Sequence, residues 1–352
     1  MLNIFGEKNC LFNVHSLRVS LCIYFTLIAG DPAWSQETLP FYSNKKITLI
    51  VGWGPGALYD TTARLIGRYM GRHLNGSPSI VVQNMPGAGS RTATNHIYNI
   101  APRDGTVLGV IGRGMAIEPL MGVAAARFDA QQLNWLGSTS SEVSTCAAWH
   151  NATVQKLENL YTSELYVGST GGDDEIFPKM LNSLIGTKFK VIAGYQTGLD
   201  INLAMERREI GGRCGWSWGS IKSRSSDWLQ GNKISILLQL GLDKAPDLPN
   251  VPAIMENVKS EEDRQVLELL VAPQKMAWPL VAPPGLSKLR IEELRHSFDA
   301  TMSDPEFLAD AERIKYEVNP VRGEDIQRLV ARIHDFPASI VTRAKTIAYP
   351  QN

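Results

Sequence analysis

Ile47-Thr48-Leu49-Ile50-Val51-Gly52-Trp53-Gly54-Pro55-Gly56-Ala57-Leu58-Tyr59-Asp60 reads as a strand, a glycine-rich turn and the opening of a helix. The apolar, β-branched run 47–51 lacks polar alternation, which is the pattern of a strand covered on both faces. From 61 to 74 apolar residues return at helical spacing, and Asp60 ahead of Thr61-Thr62 has the chemistry of an N-cap. A strand that enters a helix through glycines gathers unpaired backbone N–H groups at the positive end of the helix dipole, and anions are attracted there. The same geometry also serves as a tight turn without a ligand, and this stretch alone leaves both readings open. It disfavours a dinucleotide site: the spacing is not G-x-G-x-x-G, and the second strand closes on Gln83 rather than on an acid.

Outward from this stretch, strand and helix signals alternate. Strand-like runs at 79–83 and 106–111 flank a helical stretch at 91–100. The rhythm resumes with strands at 165–168, 188–192 and 234–240 and helices at 175–184 and 199–207. Short, nearly all-apolar strands separated by helices indicate an α/β fold with mixed, mostly parallel sheets covered on both faces. Beyond a strand at 276–280 and the breaker Ala282-Pro283-Pro284-Gly285, the chain turns helical at 287–302, 305–313 and 324–344. The sequence shows no internal repeat, low-complexity tract or flexible linker, so two lobes would be joined by ordered strands acting as a hinge.

Three further loops follow strands: Asn84-Met85-Pro86-Gly87-Ala88-Gly89-Ser90, Gly112-Arg113-Gly114 and Ser169-Thr170-Gly171-Gly172-Asp173-Asp174. Ligands of open α/β sheets sit beyond the carboxyl ends of the strands, where all four loops are expected.

The chain resembles the tripartite tricarboxylate transporter substrate-binding receptors, the Bug or TctC-like family. The resemblance rests on four segments. They are 47–51 with Gly54-Pro55-Gly56 and Asp60; Val81-Val82-Gln83-Asn84-Met85-Pro86-Gly87-Ala88-Gly89; Ala101-Pro102-Arg103-Asp104-Gly105-Thr106; and Ala245-Pro246-Asp247-Leu248-Pro249-Asn250-Val251-Pro252. It implies a periplasmic "Venus flytrap" (type II) of two lobes, 36–142 with 274–352 and 143–273, that holds a small carboxylate between them. It also implies inner-membrane transporter subunits as transient partners, a monomeric receptor, no cofactor and no enzymatic activity. By position, the implied ligand contacts are Gly56, Ala57, Leu58 and Asp60 from the first loop, Gly114 and Met115 from the third, and Ser169, Thr170, Gly172 and Asp173 from the fourth. Tyr195 matches the tyrosine of the family's Y-x-G segment.

The chain also departs from the family. Where the family places an aspartate near the end of the strand closing on Gly215, this sequence reads Arg213-Cys214-Gly215-Trp216, which weighs against ligands carrying an amine. Arg113 and Arg213 are candidates for a charge-assisted grip on a second carboxylate, and Trp53, Tyr59, Trp216 and Trp218 for aromatic pocket walls. Each of these residues also has an ordinary structural reading. A rival from another class is an α/β hydrolase: Gly215-Trp216-Ser217-Trp218-Gly219 satisfies G-x-S-x-G, with Asp247 and His296 or His334 following in the right order. Two indoles flanking Ser217 and the lack of an H-G-G-G-type segment upstream count against it. A ligand-presenting sensory protein is a third possibility. The six histidines show no metal-ligand spacing.

Lys+Arg and Asp+Glu both number 35, so no net field favours nucleic acid or anionic lipid. The first 35 residues read as a secretion signal. Lys8 and Arg18 precede the apolar run 19–30, and Ala33-Trp34-Ser35 supplies small residues before Gln36. That run is shorter than the roughly 20 residues a bilayer span needs. The mature chain then keeps Cys146 and Cys214 in an oxidising compartment, as a disulfide or as two separately buried thiols. Mass analysis of the secreted protein should find Gln36 at or within a few residues of the N-terminus; retention of 19–30 would contradict the signal assignment.

Overall fold

The computed structural model describes residues 40–195 and 197–349; the secretion signal expected over 1–35 and its expected cleavage point at Ser35 lie outside them. Strand β1 (Lys46–Val51), helix α1 (Leu58–Tyr69), β2 (Ser79–Asn84), α2 (Arg91–Asn99) and β3 (Val107–Val110) form a βαβαβ unit, with β1 parallel to both β2 and β3. The chain then follows β4 (Asn134–Ser138) and crosses through 139–143 into β5 (Ser144–Trp149), which belongs to a second sheet.

There β6 (Leu165–Ser169), α3 (Asp173–Ile185), β7 (Phe189–Ala193), α4 (Gly198–Glu206) and β8 (Gly212–Ser217) repeat the same unit, with β6 parallel to β7 and β8. Helices α5 (Trp218–Arg224) and α6 (Ser226–Gln230), strand β9 (Ile234–Leu240), and helices α7 (Ile254–Asn257) and α8 (Glu261–Val271) follow. The chain returns to the first sheet as β10 (Pro279–Ala282) and finishes with α9 (Lys288–Met302), α10 (Pro305–Arg313), β11 (Val321–Arg322), α11 (Gly323–His334) and α12 (Ala338–Ala348).

The sheet orders are β11-β4-β10-β3-β1-β2 and β7-β6-β8-β5-β9. Strands β10 and β11 run against β4, and β5 runs against β8 and β9. The other strands of each sheet therefore share one direction, and both sheets are mixed with most strands aligned. This is the two-lobed α/β architecture expected from the sequence.

The apolar pattern explains the layers. Ile47, Leu49 and Val51 of β1 are fully buried and share a cluster with Ile66 of α1 and Leu294 and Phe298 of α9. Burying each such side chain is worth roughly 1.5–3 kcal/mol. Asp304 caps α10 through the Glu306 and Phe307 amides, with Pro305 at the first helical position where no N–H is required.

Two boundaries differ from the sequence reading. The helix expected over 324–344 breaks at Phe336-Pro337, because proline lacks an N–H and disfavours helical backbone in the preceding residue. The break lets α12 leave the first sheet and pack on α8 and α3, where Arg343 pairs with Glu262 and Asp263. The strand expected from 276 starts at Pro279, because the amides of Ala277 and Trp278 turn to Ser140 O and Ser138 Oγ. Among the described residues no helix is long and apolar enough to cross a membrane.

Cys146 and Cys214 are direct partners on the antiparallel strands β5 and β8, both fully buried, and are disulfide-bonded with Cα atoms 3.9 Å apart. The bridge closes a loop with a sequence separation of 68, which restricts the unfolded chain. Reduction, or Cys214→Ala, should lower unfolding free energy by about 2–4 kcal/mol in a denaturant titration; an unchanged midpoint would contradict that contribution.

Candidate functional site

The first loop is organised around Asp60. Sequence reading placed Asp60 as the N-cap of α1; the structure corrects this, because α1 starts earlier, Ala57 is its N-cap and Asp60 sits in the first turn. The early start allows the Asp60 carboxylate to reach back and accept from Gly56 N at 2.8 Å, while Asn84 Nδ2 at 2.8 Å and Arg64 Nε at 3.0 Å also donate to it. Gly56 has φ +82°, a conformation that glycine adopts at little cost.

Ala57 has no side chain able to cap the helix. Among the described residues, no acceptor meets the first-turn amides of Leu58, Tyr59 and Asp60. Trp53 stacks on Tyr59 at 3.6 Å, and Tyr59 meets Trp278 edge-on at 4.6 Å. Burial pushes the Tyr59 hydroxyl up to about 12 despite the nearby Arg113.

The second loop serves the first and third. A Cβ on Gly52 would lie 1.9 Å from Ser90 Oγ, and that buried hydroxyl accepts from Gly112 N at 3.0 Å. The three turns are therefore packed onto one serine.

The Arg113 guanidinium donates to Glu142, in the crossing between the sheets, and to Asp173, at the start of α3. Gln274 Nε2 also donates to Asp173, at 2.9 Å. Burial would lower the pKa of Arg113, but the two carboxylates outweigh it and raise it; burial raises that of Glu142 against the pull of Arg113. Arg213 is likewise committed, to Asp174 at 3.3 Å, Gly198 O at 3.4 Å and the face of Trp216 at 5.2 Å. Neither arginine is free to grip a second carboxylate.

A cavity of about 1010 Å³ lies between the two sheets. Its walls are Gly56, Leu58 and Thr61 from the first loop and α1, 140–143 from the crossing, 217–220 with Lys222 around the start of α5, and Trp278, Tyr316 and Glu317. Of the contacts expected from the sequence, Gly56 and Leu58 line it, beside Ala57 and Asp60.

The other expected contacts lie off this wall. Met115 is 2% exposed in the core, and its amide bonds Gly112 O; Gly114 lies in the same short turn. Ser169 is buried and accepts from Gly171 N, Thr170 donates to Asp174, and Gly172 caps α3. Tyr195 packs on the second lobe's aromatic cluster, which also buries Trp216. The first turn of α3 carries Asp173, Asp174 and Glu175, each matched by one cation: Arg113, Arg213 and Lys179. That helix start already holds the anions its dipole favours.

The hydrolase constellation does not assemble. The Ser217 hydroxyl donates to Glu142 and caps α5 through Ser220 N, Asp247 accepts from Trp218 Nε1 at 2.8 Å, and His334 lies against Ala116 O. Neither His296 nor His334 lines the cavity. Among the described residues no cluster of His, Cys, Asp or Glu is arranged to hold a metal. Sequence reasoning missed Glu142, Lys222, Trp278 and Glu317, which stand in unremarkable local sequence and converge only through the chain crossings.

No family model and no curated protein matches the chain. Solved structures do. A TctC solute-binding protein from Polaromonas, crystallised without ligand, aligns at TM-score 0.67 and 17% identity, over 86% of this chain and 99% of that one. An R. palustris protein solved with adipate aligns at 0.60 and 16%, over 86% and 97%. The periplasmic binding protein BugD aligns at 0.59 and 18%, over 86% and 98%. At these identities the likeness is one of fold.

Burial alone would raise the Asp60 carboxyl, but the hydrogen bonds from Arg64, Gly56 and Asn84 outweigh it and hold its pKa below the ordinary value. Its stabilising contribution is therefore complete above that value and is lost as pH falls through the depressed one. Asp60→Ala should cost about 1–3 kcal/mol at neutral pH, and the gap to wild type should narrow below pH 4. A pH-independent gap in chemical denaturation would contradict this role.

Proposed function

We propose that the protein is a periplasmic receptor of the tripartite tricarboxylate transporter type. In this reading it captures a small carboxylate between lobes 36–142 with 274–352 and 143–273, and delivers it unchanged to inner-membrane subunits. The observation that carries the reading is the uncapped first turn of α1, whose Leu58 lines the inter-sheet cavity and whose amides have no acceptor among the described residues. An anion satisfies such amides and the helix dipole together. The fold likeness to periplasmic binding proteins, one of them solved with adipate, supports the same reading.

Capture couples to closure, because a ligand touching both walls of the cavity binds the closed arrangement better than the open one. In this proposal Gly56 and Leu58 meet the ligand, Ala57 leaves the helix start open, and Asp60 holds the turn. Gly114, Met115, Ser169, Thr170, Gly172, Asp173 and Tyr195 lie outside the cavity lining, in the loops behind it.

Thermal-shift screening of dicarboxylates, tricarboxylates and aromatic acids tests the proposal. A ligand at 100 times its Kd stabilises by about 2.7 kcal/mol. The space around a Gly56 Cβ is open but its φ of +82° strains any other residue, so Gly56→Leu should lower the melting temperature, keep a cooperative melt and remove the ligand shift. Absence of any carboxylate hit, or hits that survive Gly56→Leu, would overturn the proposal.

A further inference from the structure

Strand β7 is an edge of the second sheet, with β6 as its neighbour. Leu165 N donates to Lys188 O, and backbone groups alternate along a paired strand. Lys188, Lys190 and Ile192 therefore turn theirs toward β6, while Phe189, Val191 and Ala193 turn theirs outward. Asn182 of α3 satisfies the first of these: its Oδ1 accepts from Phe189 N and its Nδ2 donates to Phe189 O, both at 2.9 Å. Among the described residues, no group outside the strand meets the N–H and C=O of Val191 or Ala193. Two donors and two acceptors stand on an open edge.

The face of β7 beside α4 is also bare. Ile201 of α4 packs over Gly168, which is in register with Ile192, yet Ile192 itself is 41% exposed. Helix α4 turns Leu199 and Leu203 away from its buried Ile201, and they are 68% and 42% exposed.

This edge is complementary to itself. A second β7 laid antiparallel about a two-fold axis at Ile192 sets Val191 of each copy opposite Ala193 of the other. Each such pair exchanges both N–H···O bonds, so every open group of both edges is used. The two Ile192 side chains meet on the axis at a non-hydrogen-bonded position, where opposed side chains lie closest. Neighbouring registers fit less well. An axis at Val191 sets Ala193 against Phe189, whose groups Asn182 already holds, and an axis at Lys190 opposes two like charges.

We propose that β7 is a dimerisation edge whose partner is a second copy of this chain. The Val191–Ala193 pairs then join two five-stranded sheets into one, with Ile192 on the axis. A two-fold contact requires this kind of self-complementarity. The contact is small, so the dimer forms in a concentration-dependent way rather than as an obligate unit. It replaces the monomer implied by the family resemblance. None of residues 189–193 lines the cavity, so pairing leaves capture free and does not depend on the receptor reading.

Sedimentation velocity on the wild-type protein, from about 10 μM to about 1 mM, tests the inference over the affinity range of a small interface. The weight-average mass should rise toward that of two chains. Ile192→Glu and Ile192→Lys each put like charges on the axis and should stay monomeric, whereas their equal mixture should associate at least ten-fold more tightly than either alone. Ile192 is a surface position, so both variants should melt as wild type does. Oxidation of Ile192→Cys should give a disulfide-linked dimer, because opposed Cα atoms at such a site lie about 4.5 Å apart; Lys190→Cys should not cross-link. A wild-type protein that stays monomeric throughout would leave the edge to a strand of another protein and overturn the inference. A dimer that survives Ile192→Glu, or that cross-links equally well at 190, would overturn it too.

Discussion

A half-buried guanidinium held by carboxylates from two other parts of the chain links the two sheets. Removing charged groups from water costs several kcal/mol per ion, and only close pairing with further hydrogen bonds offsets it. Arg113 meets that requirement by joining the third loop of the first lobe to Glu142 in the crossing and Asp173 at the head of α3. The partners are themselves held: Gln274 donates to Asp173 and accepts from Ser144, and Glu142 N donates to Gln274 O. Both chain crossings, 139–143 and 272–278, thus enter one polar network, which forms the floor beneath the cavity.

Each lobe uses the same βαβαβ arrangement, with the first strand of the unit between the second and third, so each sheet has a point where the strand order reverses. Crevices open beyond the carboxyl ends of strands at such points. The two units fill theirs differently. The α1 start has alanine at its N-cap position and is left open, whereas the α3 start is occupied by its own three acids and their cations. One helix start is thereby available to an external anion, and the other is used for internal cohesion.

Much of this was legible in the chain. β1, β2, β6 and β9 are dense in Val, Ile and Leu, and their limits follow the apolar runs. β5, Ser144-Thr145-Cys146-Ala147-Ala148-Trp149, is entirely buried yet built of small and polar residues, so its place between two antiparallel neighbours is set by tertiary pairing. The break in the last helical stretch was signalled by Pro337, though apolar periodicity runs on past it. In the site, glycines marked the first loop, because backbone that must turn at positive φ leaves a compositional trace. Glu142 and Lys222 left none: a single acid between serine and valine says nothing locally about which cation it meets 29 residues away in sequence. Ser217 shows the converse, since G-x-S-x-G was matched by a serine whose hydroxyl caps α5.

The most direct measurement is a crystal structure of the protein with a bound acid identified by titration. The account predicts density for the ligand in the cavity between the sheets, with a carboxylate oxygen within hydrogen-bond distance of the Leu58 or Tyr59 amide and the Arg113–Glu142 pair intact. A ligand seated outside that cavity, or a carboxylate held by Arg113 with the α1 amides left to water, would contradict it.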